Sequence, residues 1–214
     1  MIEVVLPVLD EAEAIPAVLG VMPSGFEAIV VDNGSRDGSA QVASTHGARV
    51  VHEPHKGFGA ACFTGLGAAR TEIVCFMDCD GSLDPAQLPL VAAPVVQGEL
   101  DLCLGARVAQ PGAWPWHARI ANRLLALELR RRCGLALKDL GPMRAAHREA
   151  LLALDLRDRG FGWPLEMVLK ASAGRWRVGE VPVTYGPRAA GHSKVSGSAR
   201  GTVRATRDMA SLLT

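Results

Sequence analysis

Ile73-Val74-Cys75-Phe76-Met77-Asp78-Cys79-Asp80-Gly81 is the stretch on which the reading of this chain turns. Its apolar opening reads as a short buried strand. Two acids stand at the strand's outer end, a glycine follows, and Asp84-Pro85 then supplies a helix N-cap and a first helical residue. Side chains two apart on a strand share a face, so Asp78 and Asp80 can converge on one cation. Hard divalent ions such as Mg²⁺ are commonly held by one or two carboxylates together with substrate phosphates. Acid-x-acid is a common chance pattern. The apolar strand before it and the helix start after it mark this one as a metal pair.

Outward from this stretch the first half alternates between two patterns. Ile2–Leu6, Ala28–Val31, Ala48–Val51, Glu72–Met77 and Leu100–Gly105 read as buried parallel strands. Glu11–Val21, Ser39–Thr45, Gly57–Ala69 and Pro85–Val96 read as helices between them. Such alternation predicts an α/β fold with a mostly parallel central sheet flanked by helices, and such sheets bind ligands beyond the carboxyl ends of their strands. Farther on, residues 117–132 read as a helix with Arg119, Arg123 and Arg130 on one face, and helices are expected near 146–156 and 163–173. Val178–Thr184 reads as a last strand, and a Gly/Pro/Ser-rich loop at 186–198 leads into a final helix carrying Arg200, Arg204 and Arg207. One domain, 1–214, accounts for all of this, with residues 1–106 as the nucleotide-binding half and 107–214 as acceptor side and lid.

Charge narrows the function. A formal net charge of +1, from 23 basic and 22 acidic residues, excludes a bulk polyelectrolyte and makes nucleic acid a poor partner. The signs are unevenly placed: carboxylates concentrate in the first half, and Arg107 to Arg207 carry most of the positive charge. That split suits a site with a cation on one side and phosphates held from the other. Five cysteines, an odd number set in apolar runs, read as reduced thiols of a cytoplasmic protein. No stretch approaches the roughly 18 apolar residues of a spanning helix, and Met1 runs into a core strand without a leader.

Three further features stand at predicted strand ends. Pro7-Val8-Leu9-Asp10-Glu11 puts two carboxylates past the first strand, where they serve a ligand or simply the helix dipole. Val31-Asp32-Asn33-Gly34-Ser35-Arg36-Asp37-Gly38 is a strand-to-helix turn whose Asp32 can accept hydrogen bonds from a ribose or base, or only from its own turn. In His55-Lys56-Gly57-Phe58-Gly59 the glycines permit close backbone approach, and a lysine at a helix start attracts anions. The spacing fits neither the P-loop nor the dinucleotide fingerprint.

Together these segments resemble the family-2 glycosyltransferases of the GT-A nucleotide-diphospho-sugar transferase fold, nearest the polyprenyl-phosphate (dolichol-phosphate) mannosyl- and glucosyltransferase-like branch. Residues 7–11 are similar to its Pro-x-x-Asn-Glu, with Asp10 in place of Asn. Residues 31–38 are similar to Val-Asp-Asp-Gly-Ser-x-Asp-Gly, with Asn33 for the second Asp, and Asp78 and Asp80 fall on the family's Asp-x-Asp. Leu104–Arg107 resembles its Gly-Ser-Arg stretch, 139–145 a degraded Asp-x-x-Ser-Gly-Phe-Arg-Ala, and 161–171 its Phe-x-x-x-x-Glu helix through Glu166. Pro182–Tyr185 followed by Arg188-x-x-Gly191-x-Ser193-Lys194 is the most specific match.

The resemblance implies an inverting transfer of a hexose from a nucleotide-diphosphate sugar, of GDP-mannose or UDP-glucose type, to a polyprenyl phosphate, with Mg²⁺ or Mn²⁺. Pro7, Asp10, Glu11, Asp32, Ser35, Asp37 and Lys56 would contact the nucleotide, and Asp80 with Asp78 would hold the metal. Arg188, Ser193 and Lys194 would close over the diphosphate, and Arg107 and Arg119, with Arg123, would hold the acceptor phosphate. A lipid phosphate is already anionic and needs no base, whereas a hydroxyl acceptor does. Glu166 and Asp139 are expected as base or as structural carboxylates. A membrane surface or membrane-protein partner is a further expectation, with Trp114 and Trp116 as an interfacial anchor or as loop packing, and the final helix as an electrostatic contact. A soluble hydroxyl acceptor, a sugar nucleotidyltransferase and a non-catalytic subunit are the alternatives. The acids at 10 and 11, where a nucleotidyltransferase carries a Gly-rich basic signature, argue against the second. The intact Asp78/Asp80 pair argues against the third.

Overall fold

A computed structural model describes residues 1–189 and 199–213. Seven strands, β1 (Ile2–Val8), β2 (Phe26–Asp32), β3 (Arg49–His52), β4 (Ile73–Phe76), β5 (Leu102–Ala109), β6 (Arg144–His147) and β7 (Val178–Tyr185), form one sheet in the order β3-β2-β1-β4-β6-β5-β7. All run parallel except β6, which pairs antiparallel with both β4 and β5. The helices are α1 (Ile15–Gly20), α2 (Ser39–Thr45), α3 (Phe58–Ala68), α4 (Leu88–Val96), α5 (Trp116–Cys133), α6 (Arg148–Ala153), α7 (Trp163–Ala173) and α8 (Ala199–Ser211), with a 3₁₀ turn at Pro85–Gln87 before α4. The expected strands and helices all form, displaced by a few residues at some ends.

Alternation along the strands divides the core in two. Val5, Ile29, Val31, Val74, Phe76, Leu102 and Leu104 face Leu66 of α3, Leu129 of α5 and Trp163 of α7. Val4, Leu6, Val30, Cys75 and Cys103 face Ile15 of α1 and Val91 and Val95 of α4 on the other side. Each central strand is therefore apolar on both faces, as a covered parallel sheet requires. Of the cysteines, Cys62, Cys75, Cys79 and Cys103 are free and buried, while Cys133 is half-buried.

One strand went unforeseen. Arg144-Ala145-Ala146-His147, expected as irregular chain entering a helix, fills the gap between β4 and β5. It is too short, and too rich in alanine and charge, to carry a strand signal of its own. Its pairing arises from the backbone edges on either side. Because β6 runs backwards, the segment 139–143 leading into it reaches the edge where the parallel strands end. Val8, Asp32 and His52 are in register there.

Candidate active site

The residues beyond these strand ends form two adjoining regions, one acidic and one basic. β4 stops at Phe76, so Asp78 and Asp80 lie on the loop beyond it rather than on a strand face, and the chain turns immediately after them at Gly81, where φ is 77°. Asp80 is buried; its Oδ1 accepts from the Ser82 amide at 2.9 Å and the Ser82 hydroxyl at 2.5 Å, and its Oδ2 accepts from Arg188. The other arm of the Arg188 guanidinium reaches Glu11 Oε1 at 2.5 Å. Burial opposes the charge on Arg188, yet Asp80 and Glu11 hold its pKa above the ordinary value. Asp78 keeps some surface open but is hemmed in by protein. Burial first, then the Asp80 charge, push its pKa up to about 7 against the pull of Arg107, Arg188 and Arg144. An Asp78 carboxylate whose pKa is raised by burial and by its neighbour, beside the carboxylate of Asp80, fits a hard divalent cation completed by phosphate oxygens. Among the described residues no third carboxylate, histidine or cysteine joins them as a ligand cluster.

Beside this pair the loops after β1 and β2 are stapled together. The Asp10 amide donates to Ser35 Oγ at 3.0 Å, the Glu11 amide to Ser39 Oγ at 3.0 Å, and the Ala12 amide to Asp37 Oδ2 at 2.9 Å. Asp10, at φ 53°, accepts in return from the Arg36 amide at 2.8 Å. Asp32 is buried at the end of β2, accepting from the Ser35 amide at 3.1 Å with His52 Nδ1 at 3.3 Å. Asn33 bonds the Glu53 and His55 carbonyls and the Gly57 amide, at 2.8–2.9 Å. The structure thus gives Ser35 and Asp37 a loop-shaping role, and engages the Asp10 and Asp32 carboxylates within the same pair of loops. Pro7 lies in β1, paired with Val31.

The Lys-Gly-x-Gly turn serves a contact that the sequence did not announce. The Gly59 amide donates to the Gly160 carbonyl and the Ala60 amide to the Arg159 carbonyl, both at 2.9 Å, so two amides at the start of α3 are taken by protein. A Cβ on Gly57 would stand 2.0 Å from the Arg159 carbonyl oxygen, which explains the glycine without a ligand. The 155–160 loop is held by Glu166, which accepts from the Arg157 and Asp158 amides at 2.8–3.0 Å and pairs with Lys170 at 2.9 Å. Burial raises the Glu166 pKa, but these partners outweigh it and the net shift is downward, as suits a structural carboxylate. Lys56 itself is exposed.

The basic region lies across β5. Arg107 grips Asp139 with both arms of its guanidinium at 2.7 Å, and its amide donates to the same carboxylate at 2.9 Å. The guanidinium lies 3.9 Å from the centre of the Trp114 ring and 5.4 Å from that of Tyr185. Gly141 permits this: a Cβ there would stand 1.9 Å from the Gly105 carbonyl oxygen, so only a glycine lets the 139–141 segment cross β5 so closely. Arg107, Arg119, Arg123 and Lys138 line a cleft of about 490 Å³ with Trp114 at its side. Its two carboxylates are engaged already, Asp139 by Arg107 and Glu180 by the Lys138 and Asp139 amides at 2.8 and 3.3 Å. Asn122 ties α5 to the same segment, accepting from the Leu140 amide and donating to the Lys138 carbonyl, each at 3.1 Å. Arg107 also lowers the cost of a charge on Asp78, which links the two regions electrostatically.

Two contributors carried no sequence signal as site residues. Ser82 orients Asp80, and Lys138 adds a fourth cation to the cleft. Ser193 and Lys194 lie outside the described residues, as do the side chains of Arg200 and Arg204. Trp114 packs on Arg107, whereas Trp116 stands in solvent, so the expected pair divides between loop packing and exposed surface.

A mostly parallel sheet with paired carboxylates beyond its fourth strand and a basic cleft alongside defines a GT-A glycosyltransferase. The chain belongs to glycosyl transferase family 2, whose model matches residues 3–154. It is 49% identical over 208 residues to an uncharacterized glycosyltransferase of Mycobacterium tuberculosis strain H37Rv, covering 97% of this chain and 95% of that one. It is 32% identical over 212 residues to the undecaprenyl-phosphate mannosyltransferase of Micrococcus luteus, covering 90% and 86% of the two chains. The expected kinship with polyprenyl-phosphate transferases thus has a relative of that description. Among solved structures, glucosyl-3-phosphoglycerate synthase of Mycobacterium tuberculosis, crystallised with Mn²⁺, UDP and phosphoglyceric acid, superposes with a TM-score of 0.77. That match has 27% identity and covers 99% of this chain and 78% of that one.

Proposed function

We propose that this enzyme transfers a hexose from a nucleotide-diphosphate sugar to an acceptor phosphate, a polyprenyl phosphate, with inversion at the anomeric carbon. The observation that carries the acceptor is the cleft with Arg107, Arg119, Arg123 and Lys138 in its wall. Both of its carboxylates are already hydrogen-bonded, so among its described residues no free base awaits a hydroxyl. A phosphate acceptor needs cations to hold it and no base to deprotonate it, and the cleft supplies that chemistry.

On the donor side, Asp10 and Asp32, on the loops beyond β1 and β2, would contact the nucleoside, and Asp78 and Asp80 would hold Mg²⁺ or Mn²⁺. When bound, the cation neutralises charge building on the leaving nucleoside diphosphate. Ser82 fixes the Asp80 carboxylate. Arg188, now on Asp80 and Glu11, would supply positive charge to the same phosphates. Arg107 orients the acceptor, held flat by Trp114 and locked by Asp139.

The test is incubation with radiolabelled GDP-mannose or UDP-glucose, Mn²⁺ and polyprenyl phosphate in detergent, followed by organic extraction. Label in the organic phase supports the reading. A soluble phosphate-bearing acceptor is the second reading, favoured by the likeness to a synthase crystallised with phosphoglyceric acid. Label transferred only to phosphoglycerate would establish it instead.

A further inference from the structure

Helix α5 leaves an apolar ridge uncovered. Trp116 is 73% exposed, Ile120 47%, and Leu124 and Leu127 63% each. At about 100° per residue these four fall within about 80° of the helix circumference. The inner face, with Leu125, Ala126 and Leu129, packs on the core, and Asn122 ties that side to the 138–140 segment. Between the two runs a row of arginines: Arg119 and Arg123, which line the cleft, and Arg130, about two turns beyond. Passing around the helix, one meets core, then cleft-lining cations, then exposed apolar side chains. A single helix showing three large leucine or isoleucine side chains and a tryptophan to solvent needs something to cover them.

Charge selects the occupant. Over its 18 residues α5 carries five arginines against one glutamate, and that glutamate, Glu128, is paired with Arg131 and Arg132. Two copies of this helix laid face to face would bring like charges together. An anionic lipid surface meets the arginines with opposite charge while it receives the apolar ridge, the pattern of a helix lying in the plane of a bilayer interface. The tryptophan at the helix start suits the headgroup level. No helix among the described residues is long and apolar enough to cross a membrane, so contact would be of this lateral kind.

We infer that α5 is the membrane-docking face: its ridge of Trp116, Ile120, Leu124 and Leu127 seats in an anionic bilayer. The mouth of the arginine cleft then stands at headgroup height. This deepens the proposed reading, since a lipid phosphate could then enter the cleft from the membrane with its chain running past the ridge.

The test is flotation of the full chain with vesicles of phosphatidylcholine containing phosphatidylglycerol, and with vesicles of phosphatidylcholine alone. The wild type should float with the anionic vesicles and much less with the neutral ones. Leu124→Glu/Leu127→Glu, two exposed positions away from the cleft, should lower the bound-to-free ratio by about tenfold or more. The far-UV spectrum and nucleotide binding should stay unchanged. Wild-type protein that stays with the soluble fraction in both cases, or a double variant that floats as well as wild type, overturns the inference. Self-association in sedimentation velocity that the double variant abolishes, without vesicle binding, assigns the ridge to a second copy and also overturns it. None of these readouts involves turnover. Failure here therefore leaves the transfer assay in detergent standing, and failure of that assay leaves vesicle binding to be judged alone.

Discussion

Replacing Asp139 by asparagine keeps the shape of the side chain and removes the charge that Arg107 is built around. In the native protein the carboxylate takes three N–H donors from Arg107, two from the guanidinium at 2.7 Å and one from the backbone at 2.9 Å. Side-chain exposure is only 16% for Arg107 and 4% for Asp139, so water can replace little of what is lost. Removing one partner of a buried pair leaves an uncompensated charge and costs about 3 kcal/mol or more. Asparagine retains one acceptor, which sets the expectation at the low end, about 3 kcal/mol. For a chain of this size that is a fall in Tm of about 6–12 °C, read by circular dichroism with a denaturant titration beside it. A double-mutant cycle with Arg107→Ala and Asp139→Ala should return a coupling of about 2–3 kcal/mol. In the transfer assay Asp139→Asn should raise the KM for the acceptor and leave that for the donor nearly unchanged. A stability loss below about 1 kcal/mol together with a negligible coupling would refute the reasoning, because the pair would then be acting as a solvated surface bridge.

Arg119→Ala, a change at an exposed cleft residue, should raise acceptor KM by about tenfold or more, the worth of a charge-assisted contact, with unaltered thermal stability; an unchanged acceptor KM removes Arg119 from the site. Asp80→Asn should abolish turnover and Mn²⁺ binding by calorimetry. Asp78→Asn should do likewise while stabilising the metal-free protein by about 1 kcal/mol, since it relieves a buried like-charge contact; an active Asp80→Asn enzyme would sink the metal assignment. Glu3, buried at the far end of β1, meets a desolvation cost, but the Arg70 and Thr71 amides and Arg49 outweigh it and lower its pKa. A depressed folded pKa stabilises fully above the unfolded value near 4.5 and loses that stabilisation as pH falls through the folded value. Glu3→Gln should therefore lower Tm at neutral pH and flatten its decline below about pH 4.5, and parallel wild-type and variant profiles would contradict this.

The fold was legible because its information is local. Runs such as Val4-Val5-Leu6 and Ile29-Val30-Val31 are apolar without a break, and this is what a strand covered on both faces must be. β6 was not legible, since Arg144–His147 is a strand only by virtue of the two edges between which it lies. The carboxylates of the site were visible for the same local reason: each follows a strand. Their geometry was not, because β4 ends at Phe76 and leaves Asp78 and Asp80 on a loop, where strand periodicity no longer applies. Long-range pairs are the least visible kind. Nothing near Gly57 says that the Arg159 carbonyl will stand against it, and nothing near Asp139 names Arg107, 32 positions away, as its partner. Ser35 and Asp37 show the converse, polar side chains in a strand-end motif that in this structure bond a neighbouring loop and, for Asp37, Ser39 of its own turn.

The uneven distribution of charge along the sequence becomes a spatial gradient in the folded chain. Glu11 and Asp80 gather around Arg188 beside Asp78, whereas Arg119, Arg123 and Lys138 line the cleft together with Arg107. Arg107 and Arg188 differ in their anchorage. Arg107 is fixed by Asp139, two rings and the close crossing at Gly141, none of which belongs to the acidic group. Arg188 bonds Asp80 and Glu11, members of the acidic group itself, and its buried Nε has no partner. A cation held at Asp80 would compete with Arg188 for that carboxylate and would leave the Arg107–Asp139 pair untouched. A guanidinium freed in this way would be suited to pair with phosphate oxygens. The proposed donor side would therefore have to exchange an arginine's partners, whereas the proposed acceptor side is already anchored by residues outside the acidic group.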